Sequence, residues 1–138
     1  MKISFIDHIV IIVKNITATE KFYSSFLGKP VHLDERMAIY ETGDTKVFFV
    51  LPKESYERLD KDKGGLNHIG FGVRTLDELR SFEKMLNDGA IKHSGIKIDQ
   101  HGGKDYIWFD DPDGGRVEIY CRPIEMNKSS LVCEGSGE

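Results

Sequence analysis

Apolar residues cluster in two similar stretches, "IDHIVIIV" at residues 6–13 and "LNHIGFGV" at residues 66–73. Each stretch surrounds one histidine with β-branched residues, aromatic residues or glycine, a composition typical of a buried strand. With a constant offset of 60 residues, His8 aligns with His68, and apolar neighbours on the C-terminal side align as well. This self-similarity predicts two copies of one supersecondary unit.

A helix is predicted after each of these strands. Asn15 and Thr75 are residue types that favour helix N-caps, and Thr75 with Glu78 has the spacing of a capping box. We expect Gly28 and Gly89 to supply the left-handed residue that ends each helix. Apolar residues at helical spacing form the predicted buried faces, which are Phe22, Phe26 and Leu27 in the first helix and Leu79, Phe82, Met85 and Leu86 in the second.

Strands are expected to follow each helix. The stretches 37–51 and 105–121 each predict two strands around a turn, which is Gly-Asp in the first and Asp-Pro-Asp-Gly-Gly in the second. A further short strand is expected before each pair, at residues 30–33 and 91–93. The fold class is therefore α+β. Because one helix covers only one face of a sheet, the two βαβββ modules are expected to pair into a curved, barrel-like sheet around a shared interior.

These elements predict a single domain at residues 1–125 of the 138-residue chain. Module one spans residues 1–51, a linker spans 52–65 and module two spans 66–121. The linker is charged and ends in two glycines, as expected for an exposed connection. The C-terminal stretch 126–138 is polar and weakly patterned, and we expect it to be mobile.

Composition excludes several classes of partner. The 19 basic and 23 acidic residues give a net charge of −4, which argues against nucleic acids and membrane surfaces and favours small molecules or other proteins, with a small-molecule substrate expected. No apolar stretch approaches the ~20 residues that a membrane span needs. The two cysteines, Cys121 and Cys133, form neither a disulfide framework nor a metal-binding spacing, so reduced thiols and a cytoplasmic location are expected.

The repeated histidines and one carboxylate predict a metal site. A pseudo-twofold pairing of the modules would bring His8 and His68 side by side, both facing inward. Glu118 lies in the strand pattern "RVEIYC", where an ionised carboxylate costs free energy unless it is paired or bound to a cation. A divalent metal held by two imidazoles and one carboxylate would keep coordination positions open for chemistry.

Plainer interpretations stay open for the same residues. Each histidine could be a hydrogen-bonded core or edge residue, the repetition could reflect ancestry alone, and Glu118 could point outward on a half-exposed strand. Loop or strand-edge settings make His32 and His93 more consistent with solvated side chains. The carboxylates of the Asp-Pro-Asp-Gly-Gly region favour turn formation over metal binding; they are Asp110, Asp111 and Asp113.

His101 is the candidate general base, because it lies in the loop before the last hairpin and an imidazole exchanges protons near neutral pH. Aromatic side chains on the predicted strands could line a substrate pocket, although each of them could also belong to the core. They are Tyr40, Phe48, Trp108 and Tyr120. An apolar lining favours a substrate with an aromatic or hydrophobic part.

Residues 5–121 resemble the vicinal oxygen chelate superfamily, which includes lactoylglutathione lyase, fosfomycin-resistance proteins, extradiol dioxygenases and bleomycin-binding proteins. The motifs that carry the resemblance are "DHIVIIVKNITATEKFYSSFLG", "LNHIGFGV" and "FDDPDGGRVEIY". The resemblance implies that His8, His68 and Glu118 occupy metal-ligand positions, that the metal is Zn, Ni, Mn, Co or Fe(II), and that the chain forms a homodimer.

At several positions this chain differs from individual subfamilies, so the resemblance does not assign it to one of their activities. The additional carboxylate of lactoylglutathione lyase aligns with Phe48, so water is the simplest fourth ligand, with Glu54 or Glu41 as alternatives. Fosfomycin-resistance enzymes carry a threonine where this chain has Val10, and no basic cluster flanks the site. Extradiol enzymes share the His-His-Glu set, and His101 could match the histidine that begins their closing motif.

Two further features of the extradiol enzymes are absent. Their tyrosine is replaced by Trp108, and Lys53 lies near the place of their acid-base histidine. Three functions are therefore carried forward: a metal-dependent lyase or isomerase of glyoxalase type, an Fe(II) ring-cleaving dioxygenase, and a drug-binding protein without turnover. All three act on a small molecule, and the first two need a ligand with adjacent oxygens.

Overall fold

The computed structural model of the chain describes residues 1–57 and 60–124. In these residues the βαβββ unit occurs twice, which confirms the predicted α+β class. The first module contains β1 (His8–Ile12), α1 (Ile16–Leu27), β2 (His32–Leu33), β3 (Met37–Thr42) and β4 (Thr45–Val50). The second contains β5 (His68–Val73), α2 (Leu76–Asp88), β6 (Lys97–Ile98), β7 (Asp105–Asp110) and β8 (Arg116–Cys121). The predicted mobile stretch 126–138, including Cys133, lies outside the described residues.

Each module forms its own four-stranded sheet. The strand orders are β1-β4-β3-β2 in sheet A and β5-β8-β7-β6 in sheet B. The edge strands β1 and β5 run parallel to β4 and β8, and the other neighbours are antiparallel. In the described part of the chain no hydrogen-bonded ladder joins β1 to β5. The two sheets therefore stay separate and do not close into one barrel.

In the described residues, neither helix is long and apolar enough to cross a membrane.

Both predicted helix starts are confirmed. The side chain of Asn15 accepts a hydrogen bond from the Ala18 N–H at 2.9 Å, and that of Thr75 accepts one from the Glu78 N–H at 3.2 Å. These bonds satisfy backbone donors that have no partner inside the helix. Gly28 follows α1 with a φ of 81°, so its positive φ was also predicted correctly.

The end of α2 differs from the prediction. Gly89 has a φ of −83°, and the residue with positive φ is Ala90, at 52°. The Ala90 N–H bonds to the Asn87 carbonyl at 3.0 Å, and the Ile91 N–H bonds to the Leu86 carbonyl at 2.8 Å. This is the Schellman pattern with its left-handed position one residue later than the glycine. The pair of carbonyl bonds offsets the strain of a left-handed alanine.

The short strand predicted at residues 91–93 is also displaced. The strand β6 is formed by Lys97–Ile98, while His93 makes only an isolated bridge with Phe109. Gly95 has a φ of 70°, so the chain turns between these two contacts. The corresponding strand of module one, predicted at 30–33, is reduced to the two residues of β2.

One core serves both modules. The helix-facing sides of the two sheets contribute fully buried Phe49 and Phe109. The ring of Phe26 on α1 reaches across to the second module, with ring centroids 5.7 Å from Phe109, 6.0 Å from Phe71 and 6.1 Å from Phe82. The helix sides of the modules therefore pack together, and within residues 1–57 and 60–124 no further layer covers the outer face of either sheet.

The Asp-Pro-Asp-Gly-Gly turn joins the modules. Within the turn, Asp111 accepts two backbone N–H bonds, at 2.9 and 2.7 Å. Its other oxygen accepts the hydroxyl of Tyr23 at 2.6 Å. Asp113 accepts the Lys14 backbone N–H at 3.0 Å and the hydroxyl of Tyr56 at 2.6 Å. The prediction that Asp111 and Asp113 form a turn is confirmed, and each also binds a residue from outside module two. Asp110, predicted as a turn residue as well, is instead the last residue of β7.

Replacing Tyr23 with phenylalanine tests this junction. Tyr23→Phe removes one hydrogen bond to the partly buried carboxylate of Asp111, and the free energy of unfolding should fall by about 1–3 kcal/mol. Urea unfolding followed by circular dichroism measures the change. Tyr106→Phe is the control, because Tyr106 stacks on Tyr120 with ring centroids 4.9 Å apart and takes no part in the junction. Equal stability of both variants would contradict the assignment.

Candidate metal centre

The outer face of sheet B brings two of the three predicted ligands together. Side chains alternate along a strand, so His68 on β5 and Glu118 on β8 both point away from the helices. The His68 side chain is 41% exposed and the Glu118 side chain 13%, and the His68 Nε2 atom lies 3.4 Å from Glu118 Oε2. A largely buried carboxylate therefore faces the nitrogen of a more exposed imidazole.

The donor separation suits one divalent ion. Two ligand atoms at about 2.1 Å from a tetrahedral ion lie about 3.4 Å from each other. This equals the separation of His68 Nε2 and Glu118 Oε2. An imidazole nitrogen and a carboxylate oxygen are also donors that Zn²⁺, Mn²⁺ and Fe²⁺ accept. His68 and Glu118 thus supply two donor atoms at a separation that suits one divalent ion.

Both repeated histidines are oriented by the residue before them. The Nδ1 atom of His68 lies 2.7 Å from Asn67 Oδ1, and that of His8 lies 2.8 Å from Asp7 Oδ2. A histidine that donates its Nδ1–H in this way presents an unprotonated Nε2 to a metal. Sequence reasoning missed Asp7 and Asn67, although the signal was available: "DHI" and "NHI" align at the same 60-residue offset.

His8 does not join the other two ligands. It lies on the outer face of sheet A with its side chain 54% exposed, and its ring centroid is 5.6 Å from that of Phe48. Of the described residues, no group of three or more His, Cys, Asp or Glu side chains is placed to hold a metal. The cavity beside His68 is lined on the β1 side by residues 10–12. The predicted three-ligand site is therefore not assembled within one chain.

The other predicted site residues are divided between the surface and the core. Tyr40 is fully buried on the helix side of sheet A, so it belongs to the core and not to a pocket. Phe48 lies beside His8, whereas Trp108 and Tyr120 flank Glu118 on sheet B. His101 is exposed in the turn between β6 and β7 and does not line the cavity next to Glu118. The predicted base is thus absent from this cavity.

Aromatic and basic side chains extend the site along sheet B. The guanidinium of Arg116 lies 3.8 Å from the ring centroid of Trp108, and its Nε atom lies 2.7 Å from Asp110 Oδ1. The pKa of Tyr120 is raised by burial and then by the negative charge of Glu118. Its hydroxyl therefore keeps its proton at neutral pH. This wall suits a ligand with an unsaturated or aromatic part.

Comparison with known proteins places the chain in a family. The family model of the Glyoxalase/Bleomycin resistance protein/Dioxygenase superfamily matches residues 7–109. The chain belongs to this superfamily. The predicted resemblance is confirmed, although the matched region ends before Glu118.

Individual known proteins resemble the chain over most of its length. The metallothiol transferase FosB of Bacillus licheniformis is 24% identical over 120 residues, covering 86% of this chain and 76% of FosB. A glyoxalase family protein from Enterococcus faecalis has 26% identity and a TM-score of 0.67, covering 84% and 96% of the two chains. A lactoylglutathione lyase from Agrobacterium tumefaciens has 20% identity and a TM-score of 0.68, covering 86% and 94%, and shares the fold.

The cavity beside His68 that residues 10–12 line has a volume of about 400 Å³ and also includes Tyr23 and Asp111. Burial is the largest influence on Asp111 and raises its pKa above 3.8, outweighing the Tyr23 hydrogen bond that lowers it. Between pH 3.8 and the raised pKa, the folded protein binds more protons at Asp111 than the unfolded chain does. The contribution of Asp111 to stability is therefore full below that range and is lost as the pH rises through it.

Asp111→Asn removes this titration while keeping an oxygen for the turn. The free energy of unfolding of the parent, minus that of the variant, should decrease as the pH rises from about 4 through the raised pKa. Urea unfolding of both proteins across that range measures the difference, and the subtraction cancels the other carboxylates. A difference that increases with pH would show that the pKa of Asp111 is lowered.

Proposed function

We propose that the chain is a divalent-metal-dependent enzyme of glyoxalase type, a lyase or isomerase, acting on a small molecule with adjacent oxygens. The observation that carries this proposal is the His68–Glu118 pair, whose donor atoms are 3.4 Å apart. Membership in the superfamily supports it, as does the similarity to a metallothiol transferase. The cytoplasmic location expected from the cysteines stays a prediction.

The metal, when bound, would act as a Lewis acid that polarises a substrate carbonyl. The side chains of this protein supply the remaining functions. Asn67 orients His68 through the 2.7 Å contact at Nδ1. His68 and Glu118 would hold the metal, with Glu118 offsetting part of its charge, and Trp108 and Tyr120 would contact the apolar part of the substrate. Because these groups lie on paired strands of one sheet, their positions are held by the hydrogen-bonded ladder of β5, β8 and β7.

We further propose that His8 of a second copy completes the site. In one chain the outer face of sheet A offers His8 among exposed apolar side chains, with Val10 53% and Ile12 49% exposed. The outer face of sheet B offers two ligands and lacks a third. A twofold dimer that places sheet A of one copy over sheet B of the other would cover both faces and form two equal sites.

Ring cleavage by Fe(II) is the second candidate. The same His-His-Glu donors hold that ion, and the aromatic wall of Tyr106, Trp108 and Tyr120 favours an aromatic substrate. Elemental analysis of protein purified without chelator distinguishes the lyase or isomerase function from ring cleavage. If the protein contains near one equivalent of iron, the next assay is catechol cleavage. If it contains zinc, nickel or manganese, the next assays are for lyase activity. A drug-binding protein without turnover would keep its ligand affinity in His68→Ala.

Metal binding is tested first by removing single ligands. Even outer-sphere partners of a metal contribute about 10- to 100-fold to its affinity, so His68→Ala and Glu118→Ala should weaken zinc binding by more than about 100-fold. Calorimetric titration with zinc measures this. His32→Ala is the matched control, because His32 on β2 is also exposed but pairs with Asp34, the residue after that strand. Unchanged zinc affinity in both His68→Ala and Glu118→Ala would contradict the proposed metal centre.

Mixing two inactive variants tests the shared site. His8→Ala retains His68 and Glu118, whereas Glu118→Ala retains His8, so a mixed dimer contains one complete site. After co-refolding at equal amounts, about a quarter of the sites should bind zinc with parental affinity. Each variant refolded alone is the control. No recovery from mixed dimers, confirmed by mass spectrometry, would contradict the intermolecular site.

A further inference from the structure

A groove leads away from the His68–Glu118 pair along the outer face of sheet B. Its volume is about 500 Å³, and it is lined by β5, β8 and the residues that follow each of them. The outward positions after His68 on β5 are Gly70 and Gly72, and the outward position after Glu118 on β8 is Tyr120. The groove therefore has a floor of bare backbone on one strand and an aromatic ring on the other.

Neither glycine is required by the backbone. Neither Gly70 nor Gly72 has a positive φ. Among the described residues, a Cβ atom at either position would meet only Tyr120, at 3.9 and 4.0 Å, which is ordinary contact. Glycine inside a strand costs conformational entropy and packs no side chain, and it often marks a place where a ligand approaches the backbone. The two glycines therefore keep space open on the outer face without serving the fold.

The far end of the groove is basic. Arg74 and Arg122 line it, and one terminal nitrogen of Arg74 donates to the Arg122 carbonyl at 3.2 Å. Among residues 1–57 and 60–124, neither guanidinium forms an ion pair. Both side chains belong to exposed residues. Their donors are thus available to a carboxylate or phosphate, which a guanidinium binds through two parallel hydrogen bonds.

Strand geometry sets the length of a ligand that reaches both ends. Arg122 lies four positions after Glu118, and a strand rises about 3.3 Å per residue, so the ends are about 13 Å apart. We propose that the groove binds an extended substrate with adjacent oxygens at the metal end and an anionic group, carboxylate or phosphate, at the Arg74–Arg122 end. This assignment of substrate class rests on the proposed function of the same site.

The test compares hydroxamates, which chelate a metal through adjacent oxygens, by calorimetry on zinc-loaded protein. Acetohydroxamate reports on the metal alone, suberic acid monohydroxamate adds a distant carboxylate, and its methyl ester removes that charge. The acid should bind at least about 10-fold more tightly than the ester, since a charge-assisted hydrogen bond contributes about that factor. A probe of equal length that ends in a phosphonate identifies the preferred anion.

Variants of groove residues distinguish the contributions of its two ends to ligand affinity. The double variant Arg74→Gln with Arg122→Gln should weaken the acid at least about 10-fold and leave acetohydroxamate within about 2-fold. Gly72→Val should weaken both long probes and not the short one. Arg80→Gln is the matched control, because Arg80 is an exposed arginine paired with Asp77 on α2.

Equal affinity of the acid and the ester, or an acid affinity that the double variant retains, would overturn the groove assignment while leaving the metal centre intact. If acetohydroxamate itself fails to bind the zinc-loaded protein, the metal centre fails and the groove assignment fails with it. Thermal unfolding of each variant verifies that it is folded, and Gly70→Ala replaces Gly72→Val if the valine variant does not fold.

Discussion

A four-stranded sheet with one covering helix can bury only one of its faces, and this constraint determines the rest of the molecule. The two modules pack through their helix sides, where Phe26 contacts three aromatic rings of module two. In the part of the chain that the structure describes, the outer face of each sheet therefore has no covering layer. Polar donors such as His68 and Glu118 can lie on an outer face without the desolvation that the core would impose.

The Asp-Pro-Asp-Gly-Gly turn connects this packing to the candidate site. Asp111 shapes the turn and binds Tyr23, and Asp113 binds the Lys14 backbone. The strand that carries Glu118 begins directly after the turn. The same five residues thus determine where module one lies and where β8 starts, so a change in the junction would displace the carboxylate as well as weaken the core.

Local pattern predicted most of the fold, because alternation and capping residues act over a few neighbouring positions. It failed where a neighbouring residue could take over a role, as Ala90 does for Gly89. Alternation also cannot tell which face of a strand meets the helix, so Tyr40 and Tyr120 looked alike although one is buried and the other flanks Glu118. The repeat predicted that His8 and His68 are equivalent, but their distance depends on how whole modules pack.

The two modules have diverged in complementary directions. At the 60-residue offset, Val10 and Ile12 align with Gly70 and Gly72. Module one thus presents exposed apolar side chains where module two presents bare backbone. Two glycine-containing faces packed against each other would bury little apolar surface. A glycine-containing face packed against a face with apolar side chains would leave space for a ligand between the two. This asymmetry favours the outer face of sheet A as the cover of sheet B in another copy, with a ligand enclosed between them.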